Sequence, residues 1–232
     1  MSDQKTSRPD PAVKTGNISP PEGRPYLSLV KFVEDLFDVH GDSHRGLGYP
    51  KPDGFQARYS VLLDVMKLRS PTHSPLSVLD LGCATGCLLD EIKSSGRAGI
   101  CYRGVDLSPA MIEAARAKHP EADFVVGDPF DLQHIWRDAP DYVILGGLFQ
   151  CRLQMSEEAM TDYMVRMLRL AFDHCRHGIA FNVMSSHVDW QREDLFHVPF
   201  DRMADILQMH LNRNYVFRAD YGLYEYAVYV YK

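Results

Sequence analysis

The chain has 232 residues, of which 45% are hydrophobic and 24% charged, and its formal net charge is −6. Such a composition is typical of a soluble globular protein with one large core, and the acidic balance disfavours a nucleic-acid binder, whose surface would be basic. No apolar run approaches the ~20 residues of a membrane span, and the amino terminus lacks the apolar stretch of a signal peptide. We therefore expect a cytoplasmic protein that does not bind membranes.

The first third of the chain differs in character from the rest. Residues 1–25 are rich in Pro, Ser, Thr and charge, which predicts a flexible N-terminal arm. Apolar residues at helical spacing predict helices over 26–40 and 55–68, joined by a loop rich in Gly and Pro. We expect residues 26–75 to form N-terminal helices and a loop that cap a substrate.

From residue 76 onward, predicted strands and helices alternate. The strands are predicted at 76–81, 100–107, 122–128, 140–147 and 178–185, and the helices at 87–95, 108–119, 156–175 and 200–211. Residues 129–139 form a short irregular or helical link, and 215–232 form two strands around a turn. The alternation predicts a mostly parallel sheet with helices on both faces. The closing hairpin must add an antiparallel strand.

Three of the predicted strands end on a carboxylate: Asp80, Asp106 and Asp128. Buried acids are costly unless they bind something, and ligands of such sheets lie beyond the carboxyl ends of the strands. Two glycines, Gly82 and Gly86, follow the first of these acids in a turn that permits close backbone approach. Their spacing matches neither the dinucleotide fingerprint nor a phosphate-binding loop.

These runs resemble the motifs of the class I S-adenosylmethionine-dependent methyltransferases. The match is VLDLGCATG (78–86) to motif I, GVDLSPAMIEAAR (104–116) to the second, VVGD (125–128) to the third and DYVILGG (141–147) to the fourth. The resemblance covers roughly residues 76–232. It implies a methyltransferase core with a Rossmann-like three-layer αβα sandwich, whose seven-stranded sheet is mostly parallel with the last strand antiparallel. This agrees with the pattern of strands and helices read above.

The resemblance also implies that S-adenosylmethionine binds along the first motif. Gly82 and Gly86, with the backbone of Cys83 and Ala84, would line the methionine part, and Asp80 would hold its amino group directly or through water. Many members of the family carry a further glycine in this turn, which this sequence lacks.

The second and third motifs would hold the nucleoside. The resemblance implies that Asp106 accepts hydrogen bonds from both ribose hydroxyls, since a carboxylate can accept two donors at once. Leu107 would pack on the adenine. Asp128 would accept a hydrogen bond from the adenine amino group, and Pro129 and Phe130 would flank the base.

The acceptor of the methyl group is less evident from the sequence. Gly146 and Gly147 would let the end of the fourth strand approach the sulfonium, and GGLF in that motif departs from the form used on exocyclic or amide nitrogens. With no added RNA-binding domain and an acidic chain, a small-molecule acceptor is favoured. The resemblance implies an acceptor from secondary or sugar metabolism. The candidate substrate-binding residues are His40, Tyr49, Arg58, Phe149, Gln150, Arg152, Trp190 and Tyr224. His187, in a loop that leaves a strand, is the candidate general base.

Two other functions share these features: an aminopropyltransferase of the polyamine type, and a scaffold that binds the cofactor without turnover. The first would need an acidic pocket for a cationic acceptor, and the fourth motif has no acid. A magnesium site would also need acids there, so no metal is expected. The protein would be a monomer or a homodimer.

Overall fold

The computed structural model describes residues 18–49, 51–52, 54–68 and 75–232. The strands are β1 (Leu76–Leu81), β2 (Ile100–Asp106), β3 (Asp123–Val126), β4 (Tyr142–Phe149), β5 (Gly178–Ser185), β6 (His197–Val198), β7 (Tyr215–Arg218) and β8 (Glu225–Tyr231). The helices are α1 (Leu27–His40), α2 (Phe55–Leu63), α3 (Val65–Leu68), α4 (Cys87–Ser94), α5 (Pro109–Lys118), α6 (Glu157–His174) and α7 (Phe200–His210). A 3-10 helix spans Gln133–Trp136.

Seven strands form one sheet in the order β3-β2-β1-β4-β5-β8-β7, and β8 is antiparallel to both of its neighbours. The other pairings along β3, β2, β1, β4 and β5 are parallel. The predicted fold is therefore confirmed, with the two-residue strand β6 added beside β5. A strand of two residues is too short for hydrophobic periodicity to reveal. Strand order reverses between β1 and β4, which places a ligand crevice at their carboxyl ends.

Helices cover both faces of the sheet, and each face forms its own buried cluster. One face of the sheet packs against α6, α7 and the 3-10 helix, with Tyr163, Met203 and Trp136 among its buried residues. The other face packs against α2 to α5, with Leu62 and Ile112 fully buried. Helix α5 begins as predicted, because Ser108 caps it by accepting a hydrogen bond from the Met111 amide.

The prediction of one continuous helix over 55–68 is wrong at Asp64. Helix α2 ends at Leu63 and α3 begins at Val65. The Asp64 carboxylate pairs with Arg97, at 2.9 Å, and with Lys67, at 2.7 Å. Arg97 follows α4, so this contact is not visible in the local periodicity of the helix.

Residues 1–17 of the predicted arm lie outside the described residues. The remainder of that segment contacts the core: Ile18 packs against it, and the Ser19 carbonyl accepts a hydrogen bond from Arg166. Within the described ranges, no helix is long and apolar enough to cross a membrane.

Candidate active site

A cleft opens at the carboxyl ends of β1, β2 and β4 and encloses about 1020 Å³ of space free of protein atoms, including its mouth. Its floor comes from the loops after these strands, and its cover from α1 and the loop that follows it. Leu29 and Val33 line the cleft from α1, and Tyr26 lines it from the residue before that helix. Most of the surface is apolar, as is usual for small-molecule sites.

The glycine turn after β1 forms one wall of the cleft. Gly82 has φ +71°, and a Cβ there would lie 2.6 Å from Cδ2 of Leu148. Ala84 also adopts a positive φ, +47°, and lines the cleft. Gly86 and Cys83 are not among the described lining residues: Gly86 caps α4 with φ +84°, and Cys83 is buried behind the turn. The turn therefore presents Gly82 and Ala84 to a ligand.

Asp106 stands at the end of β2 and is fixed by two backbone donors. The Ala84 amide donates to its Oδ2 and the Ser108 amide to its Oδ1, both at 2.9 Å. Burial raises the pKa of the Asp106 carboxyl, and these amides partly oppose the effect. Asp106 and Leu107 both line the cleft. A carboxylate oriented in this way retains lone pairs for further donors, as ribose hydroxyls would require.

Asp80 lies beneath the turn and is 3% exposed. The Tyr102 hydroxyl donates to its Oδ2 at 2.8 Å. Burial raises the pKa of Asp80 from its ordinary 3.8 to about 7; the Tyr102 hydrogen bond opposes this shift and the nearby Asp106 adds to it. Asp80 is not among the described lining residues, so a ligand would meet it through the turn or through water.

Asp128 contacts the N-terminal segment of the chain. Its Oδ2 accepts hydrogen bonds from Arg24 Nη1 and from the Tyr26 hydroxyl, each at 2.5 Å, and its Oδ1 accepts one from the Phe130 amide at 3.0 Å. The Pro129 carbonyl accepts a hydrogen bond from Trp136. Asp128, Pro129 and Phe130 are absent from the described lining of the cleft, where Tyr26 stands in front of Asp128.

Seven described lining residues come from the end of β4 and the residues after it and from two aromatic side chains beside it, and we call this part of the cleft the acceptor end. They are Tyr49, Tyr59, Gly146, Gly147, Leu148, Gln150 and Cys151. The Tyr49 hydroxyl lies 2.5 Å from where a Cβ on Gly147 would stand, and Gly147 has φ +78°. A side chain at this position is thus excluded both by its backbone conformation and by Tyr49.

Of the eight candidate substrate residues, the structure brings Tyr49 and Gln150 to this end. Arg58 lies behind it, only 11% exposed at its side chain, where its Nε donates to Glu225 at 2.9 Å. Its guanidinium lies 4.2 Å over the Tyr49 ring. Phe149 is a core residue that packs on Tyr163 and Phe181.

The other four candidates lie elsewhere. His40 is the exposed last residue of α1, and Arg152 donates to the Met155 carbonyl in a separate depression. Trp190 is 63% exposed. Tyr224 is 54% exposed and donates a hydrogen bond to Asp189. None of them is among the described residues that line the cleft.

His187 also lies outside the described cleft lining. Its ring stacks on Phe200, with centroids 5.7 Å apart, and its amide donates to the Ser185 hydroxyl. The geometry therefore offers no support for His187 as a general base.

Several lining residues escaped the sequence analysis, among them Tyr26, Tyr59, Met111 and Tyr163. Each reads as an ordinary core position of a helix or its border, so no local signal distinguishes it. Glu225 did carry a signal, because a carboxylate begins the otherwise apolar strand EYAVYVY.

Comparison with known proteins agrees with this geometry. A family model described as a methyltransferase domain matches residues 78–171. "Putative methyltransferase Rv1506c" of Mycobacterium tuberculosis is 31% identical over 163 residues, which cover 68% of this chain and 94% of that protein. The chain belongs to the class I S-adenosylmethionine-dependent methyltransferases. Its donor is S-adenosylmethionine, and the wall without a side chain at Gly82 and the oriented Asp106 fit that molecule.

Solved structures share the methyltransferase fold at low sequence identity. Magnesium protoporphyrin IX methyltransferase of Synechocystis PCC 6803, with bound S-adenosylhomocysteine (SAH), has a TM-score of 0.59 at 14% identity. The match covers 87% of this chain and 98% of that one. The plantazolicin methyltransferase BpumL, with a monoazolic desmethylPZN analog and SAH, has a TM-score of 0.60 at 14% identity, covering 89% and 98%.

Proposed function

We propose that this methyltransferase transfers the methyl group to a small-molecule acceptor bound beside Gly147, at the acceptor end of the cleft. The observation that carries this proposal is the enclosure of that end. Tyr49, from the loop after α1, lies directly over Gly147, and Tyr59 from α2 lines the same space. A cover of this kind leaves room for a small group and favours transfer away from bulk water.

The arrangement supports a division of labour along the chain. The strand ends of residues 76–232 would hold the donor, with Asp106 on its ribose and the turn at Gly82 and Ala84 on its methionine part. Residues 26–75 would act as the cap, since α1, Tyr49 and Tyr59 face the cleft. S-adenosylmethionine supplies an activated methyl group, so the protein must mainly align the acceptor.

The assignments of Asp80 and Asp128 are proposed in a modified form. Asp80 would act on the donor's amino group from beneath the turn. Asp128 would act at the end of the cleft that holds the adenine. It would do so through Tyr26 and Arg24, which donate hydrogen bonds to its Oδ2.

The aminopropyltransferase alternative has less support. An acceptor with several positive charges would need acidic side chains around it, whereas Asp106 is the one acid among the described lining residues. A macromolecular acceptor also has less support. The net charge of −6 opposes a polyanion, and the curated 18S rRNA (guanine-N(7))-methyltransferases match over only 25% of this chain.

The proposal can be tested by incubating the protein with methyl-labelled S-adenosylmethionine and a cell extract divided into metabolite, RNA and protein fractions. We expect label in the metabolite fraction, and the Asp106→Ala variant serves as the control for donor-dependent labelling. Label confined to RNA or protein would contradict a small-molecule acceptor.

A further inference from the structure

A buried carboxylate, Glu225, lies behind the acceptor end and is 2% exposed. Its two oxygens accept hydrogen bonds from Arg58 Nε, at 3.0 and 2.9 Å, and from Asn182 Nδ2, at 2.9 Å. Gln150 Nε2 donates to Oε2, and the Tyr221 hydroxyl lies 3.4 Å from Oε1. We call Glu225 and its partners Arg58, Gln150 and Asn182 the Glu225 cluster. So many donors satisfy a charge that would otherwise be costly to bury.

The Glu225 cluster fixes two parts of the acceptor end at once. The Gly147 amide donates to Asn182 Oδ1 at 2.8 Å, and Asn182 in turn donates to Glu225. Gln150, three residues beyond Gly147, donates to the other oxygen of the same carboxylate. The end of β4 and the Gln150 amide are therefore held relative to each other by one side chain from β8.

The hydrogen bond from Gln150 to Glu225 determines which atom of the Gln150 amide faces the cleft. A carboxylate paired with arginine accepts hydrogen bonds, so the Gln150 nitrogen must face Glu225. The amide oxygen is left for the cleft, and it has no hydrogen-bond partner among the described residues. The hydroxyls of Tyr49 and Tyr59 likewise have no partner within the described part of the chain. Both phenols are neutral at neutral pH, and burial raises the pKa of each further.

The seven described residues of the acceptor end include no charged side chain. The Cys151 thiol is the remaining polar group, and burial raises its pKa. Arg58 uses its Nε on Glu225 and is not among the lining residues. A carboxylate acceptor would thus lack a cation here, and an alcohol would lack a base to take its proton. A neutral amine needs neither, and a weakly polar site favours its uncharged form.

We propose that the acceptor is a neutral primary or secondary amine whose N–H donates to the Gln150 oxygen, and that Glu225 is the positioning residue that orients Gln150. This inference rests on the proposed small-molecule function. The nitrogen lone pair forms the N–C bond to the methyl group while the S–C bond breaks, and that electron pair stays on sulfur. Positive charge moves to nitrogen, where the Gln150 oxygen stabilises it. The proton leaves to solvent with the product.

The acceptor class is tested with matched panels in which each small aromatic or alicyclic skeleton is presented as an amine, an alcohol and a carboxylate. SAH formation reports turnover, and calorimetry of each compound with the SAH-saturated protein reports binding independently of turnover. We expect methylation of amines alone, with kcat/KM rising with pH up to each amine's own pKa. If kcat/KM for every amine changed slope at the same pH, a base that belongs to the protein would be responsible. That result would overturn the inference.

The role of Gln150 is tested by Gln150→Met, with Gln154→Met at an exposed position as its matched control. We expect Gln150→Met to lower kcat/KM for amines at least tenfold, with the affinity for SAH within twofold of the parent. Glu225→Gln should lower kcat for amines by a similar factor with the affinity for SAH within twofold of the parent, because it misorients the Gln150 oxygen that stabilises the charge on nitrogen and does not touch the donor. If Glu225→Gln does not fold, Gln150→Met decides, and an unchanged kcat/KM would overturn the inference.

The panels also separate this inference from the proposed function. Turnover of alcohols or carboxylates in place of amines would overturn the amine assignment and leave small-molecule methylation standing. If no compound of any kind is methylated or bound while SAH binds, the amine assignment falls together with the proposed function.

Discussion

The hydroxyl of Tyr26 and the carboxylate of Asp128 lie 2.5 Å apart, although 102 residues separate them in sequence. Asp128 closes the third family motif, two residues beyond β3, while Tyr26 precedes the first helix. Tyr26 is 1% exposed and its ring stacks on Tyr163, with centroids 4.5 Å apart. This contact attaches the N-terminal segment to the loop after β3, which we propose lies beside the adenine.

Tyr26→Phe removes the hydroxyl and leaves the ring packing. Asp128 is buried, so the free energy of unfolding should fall by roughly 1–3 kcal/mol as one of its donors is lost. Tyr224→Phe is the matched control, because that hydroxyl contacts Asp189 at an exposed position and its loss should leave the free energy of unfolding nearly unchanged. Urea denaturation measures both, and equal stabilities of the two variants would contradict the structural role of Tyr26.

Asp106→Ala should weaken the binding of S-adenosylmethionine and SAH. Loss of two charge-assisted hydrogen bonds, each worth about 1.5–3 kcal/mol, corresponds to at least a ~10-fold rise in Kd. Asp123→Ala, on the neighbouring strand, removes an exposed carboxylate that pairs with Arg103 and should leave Kd unchanged. Calorimetry that gives the same Kd for both variants would remove Asp106 from the donor site.

Gly82→Ala should lower donor affinity more than it lowers stability. The new Cβ would meet Leu148 at 2.6 Å, in a wall of the cleft, at a backbone φ of +71°. Gly222→Ala has a similar φ, +74°, with nothing within 4 Å of its Cβ, so it isolates the backbone strain of roughly 1–2 kcal/mol. We expect SAH affinity to fall for the first variant only. A parallel loss of affinity in both would show that strain, and not the wall, is responsible.

Asp80 should make the stability of the donor-free protein depend on pH. Its folded-state pKa of about 7 exceeds the ordinary 3.8, so the folded protein holds this proton more tightly than the unfolded chain. Its contribution to stability is therefore full below the ordinary value and is lost as pH rises through about 7. Asp80→Asn cannot ionise, so it should gain stability relative to the parent between about pH 4 and 7.

Urea denaturation at both pH values measures this difference, with Asp205→Asn, at an exposed position on α7, as the matched substitution. A stability difference between Asp80→Asn and the parent that is the same at both pH values would contradict the raised pKa of Asp80.

Much of the core could be predicted from sequence because its signals are local. The strand that ends at Asp106, the helix that begins after Ser108 and the apolar strand β5 each follow from residue type and spacing. The acceptor end could not be predicted in the same way. Tyr49 and Gln150 are brought together by packing of distant segments, and Arg58, a candidate substrate-binding residue from the sequence, pairs instead with buried Glu225.

The position of the His187 ring could not be predicted from the sequence for the same reason. A histidine after a strand's carboxyl end is a reasonable candidate base, but the direction in which the loop turns depends on packing against Phe200 in α7. That packing is set by the tertiary fold and has no local signature.

The structure of the protein crystallised with SAH would test the central claim most directly. The account predicts SAH in the cleft, with its ribose hydroxyls on Asp106, its amino-acid part against Gly82 and Ala84, and its sulfur facing Gly147 and Tyr49. SAH bound elsewhere, or bound in the cleft with no contact to Asp106, would contradict it.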